Sequence, residues 1–122
     1  MSQLIAVFLG SGCGAVIRWL CQTRWNPANG WPLGTFIVNM CGALLAGVCL
    51  ALAARLSETT RLFVVTGILG GLTTFSALST ETFAFGMQGF MVQAVSYGLS
   101  SLILGALVCW FGYWIVVQIG VS

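Results

Sequence analysis

The sequence predicts an all-α membrane protein with four transmembrane helices. Of its 122 residues, 59% are hydrophobic and only 5% are charged, whereas soluble domains carry about 25% charged residues. The apolar residues form continuous runs instead of the alternating pattern of a lipid-facing β-barrel. Each run supplies the roughly 20 residues that a helix needs to cross a bilayer. We therefore expect lipid to surround most of the chain.

The predicted spans follow one another with short connections. They cover residues 3–22, 33–54, 61–88 and 89–119. Pro27, Gly30 and Pro32 break the chain between the first two, and a polar turn at residues 55–60 precedes the third. Because no basic side chain precedes the first span, we interpret it as a retained helix and not as a signal peptide. The pattern predicts a single domain over residues 1–122.

Small residues mark helix faces that can approach one another closely. Gly10 and Gly14 form a G-x-x-x-G motif in the first span, and Gly47 follows Ala43 in a similar arrangement in the second. In lipid such faces let two backbones come into contact. We interpret these positions as packing sites.

The third span contains a polar and glycine-rich stretch near its middle. Gly70 and Gly71 are followed by Thr73, Thr74 and Ser76. Glycine costs about 1 kcal/mol relative to alanine in a helix interior, and irregular backbone at membrane depth survives only beside protein or a wet cavity. The stretch predicts either a helix broken at mid-membrane, with carbonyl groups freed to bind an ion, or an unbroken helix whose glycines permit close packing.

Basic residues give almost no preferred orientation. Arg18 and Arg24 lie at one predicted end of the bundle, and Arg55 and Arg61 lie at the other. Since cytoplasmic loops normally carry the excess of Lys and Arg, this balance is typical of a chain that inserts both ways and pairs as an antiparallel, dual-topology dimer. The alternative is that other signals fix one orientation.

Polar side chains inside the spans need partners, because an unsatisfied group in hydrocarbon costs several kcal/mol. Asn39 lies near the middle of the second span, one turn after Thr35. Its amide either bonds a neighbouring helix or donates to a passing anion. Tyr97 and Ser101 share one face of the fourth span, which predicts a polar track or interhelical hydrogen bonds.

Two charged residues are candidates for a pore entrance. Glu81 is the only acidic residue outside the turn that precedes the third span, and ionisable residues within a membrane suggest function. The role of Glu81 is open: it could mark a pore entrance, form a salt bridge or snorkel to the headgroups. Arg18 either snorkels to the headgroups or draws anions into a vestibule. Without histidine and with one intramembrane acid, the chain lacks the acid–base pairs of an enzyme.

Three sequence blocks resemble the Fluc or CrcB family of fluoride channels. They are G-x-G-A-x-x-R from Gly12, P-x-G-T-x-x-x-N-x-x-G from Pro32 and G-G-L-T-T-F-S from Gly70, followed by Glu81. The blocks occur in the family's order and spacing. The resemblance implies an antiparallel homodimer with two pores in the bacterial inner membrane, which lets fluoride leave the cell passively.

The resemblance and the polar residues together define candidate sites. The candidate fluoride pore consists of Thr35, Asn39, Phe75, Ser76, Tyr97 and Ser101. The candidate vestibule consists of Arg18 and Glu81. The family further implies a structural sodium ion at the dimer centre, held by the backbone carbonyls of Gly70 and Thr73 from each subunit.

One position departs clearly from the family pattern. The family reads T-T-F-S-T-F, and Leu78 stands where it has its second phenylalanine. The chain would then supply one ring per pore instead of two, unless a heterodimer partner restores the other. Gly105 stands at a position where the family often carries threonine.

The expected mechanism uses neutral groups to replace the hydration of fluoride without trapping it. The amide of Asn39, the hydroxyl of Ser76 and the electropositive ring edge of Phe75 suit this role. The main alternative is a small dual-topology, proton-coupled multidrug transporter, which needs a carboxylate in the first span that this chain lacks. A further alternative is a heterodimer subunit of a fluoride channel.

Overall fold

The computed structural model describes residues 1–28 and 30–120. Four helical segments within these residues are long and apolar enough to cross a membrane, with mean hydropathies from 1.7 to 2.0. Their bounds are Ser2–Trp25, Leu33–Ala51, Glu58–Met87 and Met91–Gln118. The predicted all-α fold with four spanning helices is therefore confirmed.

The third segment contains two helices, so five are numbered here. They are α1 (Ser2–Trp25), α2 (Leu33–Ala51), α3 (residues 58–72), α4 (Phe75–Met87) and α5 (Met91–Gln118).

Local signals in the sequence account for the connections. Pro32 directly precedes α2, where its missing N–H is tolerated because the first N–H groups of a helix have no partner within it. Ser57 caps α3 by accepting the Thr60 N–H at 3.1 Å. Gly89 takes a φ of 83° between α4 and α5, a conformation that glycine adopts without a Cβ penalty.

Glycines bring the helices into direct backbone contact. A Cβ at Gly14 would overlap the Ile68 carbonyl oxygen on α3. Likewise, a Cβ at Gly47 on α2 would overlap the Cys109 carbonyl oxygen on α5. These contacts give the G-x-x-x-G motif and its counterpart on α2 the packing role expected of small residues in lipid.

The middle of α3 is an unexpected π-helix. Residues Leu62–Leu69 form it, and the Gly70 N–H that follows donates to the Val65 carbonyl, five residues back. π-helical turns are rare and are frequent near functional sites. In this chain three α-helical residues, Gly70–Leu72, separate the π-helix from an interruption of the segment.

The interruption consists of Thr73 and Thr74. Helix α3 ends with Gly70–Leu72, and both threonines have extended backbone, with ψ values of 151° and 113°. The Thr74 hydroxyl then accepts the Ala77 N–H at 3.1 Å and caps α4. The chain thus leaves the helix for two residues and re-enters it at once.

A single chain buries little apolar surface. Its core cluster consists of Val38, Leu69 and Leu72, whereas large side chains such as Phe8, at 77% exposure, point outward. Outward-facing apolar side chains are costly in water and are suited to lipid or to a second subunit.

Candidate functional site

The side chain of Asn39 closes the interruption from α2. Its Oδ1 accepts the Thr74 N–H at 2.7 Å, and its Nδ2 donates to the Thr74 carbonyl at 3.2 Å. In a continuous helix the Thr74 N–H would bond the Gly70 carbonyl, four residues earlier. The Asn39 amide therefore replaces a helical hydrogen bond, and its second N–H is available for another acceptor.

A second polar cluster, centred on Glu81, joins four parts of the fold. The Glu81 Oε1 accepts the Thr35 hydroxyl at 2.7 Å and the Asn26 amide at 3.0 Å, and its Oε2 accepts the Tyr97 hydroxyl at 2.7 Å. Thr35 and Tyr97 are fully buried. All three donors are neutral, so the carboxylate is held by hydrogen bonds.

Asn26 is a member of this cluster that the sequence analysis missed. Its Oδ1 accepts the N–H groups of Gly34 and Thr35 at 2.7 and 3.2 Å, and so satisfies the start of α2. Its Nδ2 donates to both Thr35 and Glu81. Asparagine is a preferred residue for satisfying helix N-termini, but Asn26 follows α1 directly and is not adjacent to α2, so its position gave no signal of this role.

One open groove of about 980 Å³ passes along the interruption, between α2, α3, α4 and α5. Five candidate residues line it: Asn39, Gly70, Thr73, Phe75 and Ser101. Leu78 and Gly105, the two departures from the family pattern, line it as well. None of the described residues along this groove carries a formal charge. The fold thus gathers the two sodium candidates and half of the pore candidates on one neutral surface.

The remaining pore and vestibule candidates lie elsewhere. Ser76 and Arg18 line a separate recess of about 360 Å³ between α1 and α4, together with Gln22 and Thr80. Thr35 and Tyr97 are buried around Glu81, which also borders a smaller cavity of about 170 Å³ near the start of α2. The predicted set is therefore divided among the groove, the recess and the Glu81 cluster.

In the single chain, two parts of the groove are not covered by other residues. Phe75 is 81% exposed. A Cβ at Gly70 would meet only the Val65 carbonyl oxygen, at 3.9 Å, so packing within the chain does not explain that glycine. Thr73 donates its hydroxyl hydrogen to the Leu69 carbonyl at 2.9 Å, so only oxygen lone pairs, those of the hydroxyl and of the carbonyl, remain to bind a ligand.

Four apolar spans and an interrupted third segment define a multi-pass membrane protein. A family model described as "CrcB-like protein, Camphor Resistance (CrcB)" matches residues 5–113. The chain belongs to the CrcB family, as the sequence blocks predicted.

Curated relatives extend along most of the chain. A protein of Serratia proteamaculans is 40% identical over 106 residues, covering 84% of each chain. One of Chloroflexus aurantiacus is 40% identical over 128 aligned positions, covering 92% of this chain and 99% of its own. One of Psychrobacter arcticus is 45% identical over 109 residues, covering 84% and 85%. Each of the three is named "Fluoride-specific ion channel FluC".

Proposed function

We propose that this chain is a fluoride-selective channel that lets fluoride leave the bacterial cell passively. The relationship to proteins named fluoride-specific ion channels, at 40–45% identity along most of the chain, carries the proposal. With four apolar spans and bacterial relatives, the chain is a multi-pass protein of the bacterial inner membrane. These relatives are named as channels, which points away from an enzyme. No observation favours the multidrug transporter.

The neutral groove supports selectivity for a small anion. Fluoride is strongly hydrated, and a pore must replace that hydration weakly enough to release the ion. Asn39 retains one free N–H, and the exposed Phe75 ring has an electropositive edge. Both line the same groove. These groups attract an anion without the fixed charge that would hold it in place.

A second copy of the chain would complete the pore. The groove is open along one side, and a single chain leaves both the Phe75 ring and the Gly70 backbone uncovered. The even distribution of arginines supports an antiparallel, dual-topology homodimer. A different subunit that supplies a phenylalanine opposite Leu78 is the alternative partner.

The interruption offers carbonyl oxygens that fit a structural sodium ion. We propose that the interruption lies at mid-membrane and that the ion lies at the dimer centre. Because Asn39 takes the Thr74 N–H, the Gly70 carbonyl loses its helical donor. Unwound carbonyls within membrane helices are suitable sodium ligands, and Gly70 lies at the surface of the chain. Gly70 and Thr73 of each subunit would hold the ion, which would join the two interruptions.

Arg18 and Ser76 would form the vestibule. They line one recess beside the interruption, where the positive charge of Arg18 would raise the local concentration of anions. Glu81 fits an anchoring role better, since three neutral donors already hold its carboxylate.

Fluoride efflux from liposomes tests the proposal directly. The purified protein is reconstituted into liposomes loaded with potassium fluoride, and release is followed with a fluoride electrode after addition of a potassium ionophore. We expect fluoride release well above that from protein-free liposomes. Liposomes loaded with potassium chloride instead should show no comparable release of chloride. Release equal to that of the protein-free liposomes would remove the channel function.

A further inference from the structure

Two buried hydroxyl groups of the described chain have no hydrogen-bond partner. They are the Oγ1 of Thr82 on α4 and the Oγ of Ser101 on α5. Leaving a buried hydroxyl unpaired costs free energy, because the group has lost its water. An unsatisfied buried group in a folded protein therefore calls for an explanation such as a bound water or ion.

Other hydroxyls on the same two helices are satisfied locally. Ser79 donates to the Phe75 carbonyl at 2.9 Å, and Ser100 donates to the Tyr97 carbonyl at 3.2 Å. Such bonds to the preceding turn are the usual solution for serine and threonine in membrane helices. Thr82 and Ser101 differ from this local pattern, so their hydroxyls are free to bond a ligand.

Both residues line the neutral groove. Ser101 is only 7% exposed, and Thr82 reaches the groove from the opposite helix. Gly98 lies one turn before Ser101 on the same face of α5. A Cβ at Gly98 would sit 3.7–3.8 Å from the side-chain atoms of Thr82, so this glycine places no side chain against that hydroxyl.

We propose that Thr82 is a further fluoride-binding residue, which donates its hydroxyl hydrogen to the ion together with Ser101. The inference rests on the channel function proposed above. Asn39 and Phe75 line the same groove, so the two hydroxyls would form a second binding position along one pathway. A succession of weak neutral positions is what lets an ion be dehydrated and still move on. Ser101 belongs to the polar stripe predicted from the sequence, whereas Thr82 has no such signal.

The test compares two substitutions at Thr82 in the liposome assay. Thr82→Val keeps the shape of the side chain and removes the hydroxyl; Thr82→Ser keeps the hydroxyl. We expect Thr82→Val to lower the fluoride efflux rate about tenfold, the scale of one hydrogen bond to a charged group. Thr82→Ser should conduct close to the parent rate. Ser100→Ala is the matched control, because its hydroxyl is already bonded, and it should also match the parent.

The outcomes separate the two proposals. If the parent does not conduct, the channel function fails. If the parent conducts and Thr82→Val matches it, only the role of Thr82 is overturned. A melting temperature that falls in parallel with the rate would indicate a structural water on the hydroxyl, and would also overturn it.

Two further variants cover the remaining cases. Should Thr82→Val not yield a monodisperse protein, Thr82→Ala replaces it with the same expected loss. Combining Thr82→Val with Ser101→Ala should reduce the rate by less than the product of the two single effects, because both hydroxyls bind one ion. Independent effects that multiply would contradict a shared ion.

Discussion

The amide of Asn39 pairs with both backbone polar groups of Thr74, accepting its N–H at 2.7 Å and donating to its carbonyl at 3.2 Å. Where α3 ends, a side chain of α2 thus makes the hydrogen bond that the helix backbone would otherwise make. The pairing frees the carbonyl of Gly70 and also holds the chain in an extended form through Thr74. Asn39 therefore has a structural role in addition to any contact with an ion.

Replacing Asn39 should destabilise the protein as well as slow conduction. Asn39→Ala removes the partner of the Thr74 N–H and the amide's bond to the Thr74 carbonyl, and an unsatisfied buried N–H costs about 1–3 kcal/mol. We expect a lower melting temperature in detergent and a lower rate of fluoride efflux. Ile37→Leu on the same helix conserves volume and serves as the control, with an expected cost below about 1.5 kcal/mol. An unchanged melting temperature for Asn39→Ala would contradict the pairing with Thr74.

Replacing Phe75 should affect conduction without affecting folding. The ring is 81% exposed on the single chain, so it contributes little to the core. Phe75→Ile removes an edge interaction of about 0.5–1.5 kcal/mol, which corresponds to a roughly two- to tenfold loss of efflux rate. Phe8→Ile, at a similarly exposed ring on α1, is the control and should conduct as the parent does. Equal rates for both variants would place Phe75 outside the pathway.

Alanine at Gly47 should force α2 and α5 apart. The new Cβ would overlap the Cys109 carbonyl oxygen, and overpacking typically costs about 1–3 kcal/mol. We expect a clear fall in melting temperature. Gly12→Ala is the matched control, since nothing lies within 4 Å of its added Cβ, and alanine there should stabilise α1 by up to about 1 kcal/mol. Equal melting temperatures for the two variants would rule out the close approach.

Alanine at Gly70 should weaken assembly of the dimer without disturbing the folding of the single chain. Within one chain its Cβ would meet only the Val65 carbonyl oxygen at 3.9 Å, so the monomer should fold normally. In the proposed dimer the same Cβ would intrude where two interruptions meet, and the detergent-solubilised protein should shift from dimer to monomer. The mass is measured by light scattering with and without sodium; removal of sodium should shift the parent in the same direction. A dimeric Gly70→Ala variant that conducts normally would remove Gly70 from the interface.

The sequence by itself determined the class of protein and the number of spans. Burial in lipid is decided segment by segment, so the length and hydropathy of each apolar run are sufficient to predict it. The boundaries follow local signals such as Pro32 and Gly89. Sequence blocks from Gly12 to Glu81 were enough to predict the family, which the match over residues 5–113 confirms.

Only the tertiary structure decided which polar groups meet. Asn39 and Thr74 are 35 residues apart, and Asn26 and Glu81 are 55 residues apart. The structure also divided the candidate residues among groove, recess and Glu81 cluster, and it left the hydroxyl of Thr82 unpaired. These outcomes depend on how each helix is rotated against its neighbours. Backbone contacts such as that of Gly47 with Cys109 fix this rotation. Local periodicity places a side chain on a helix face, but its partner is set by a different helix, distant in the chain.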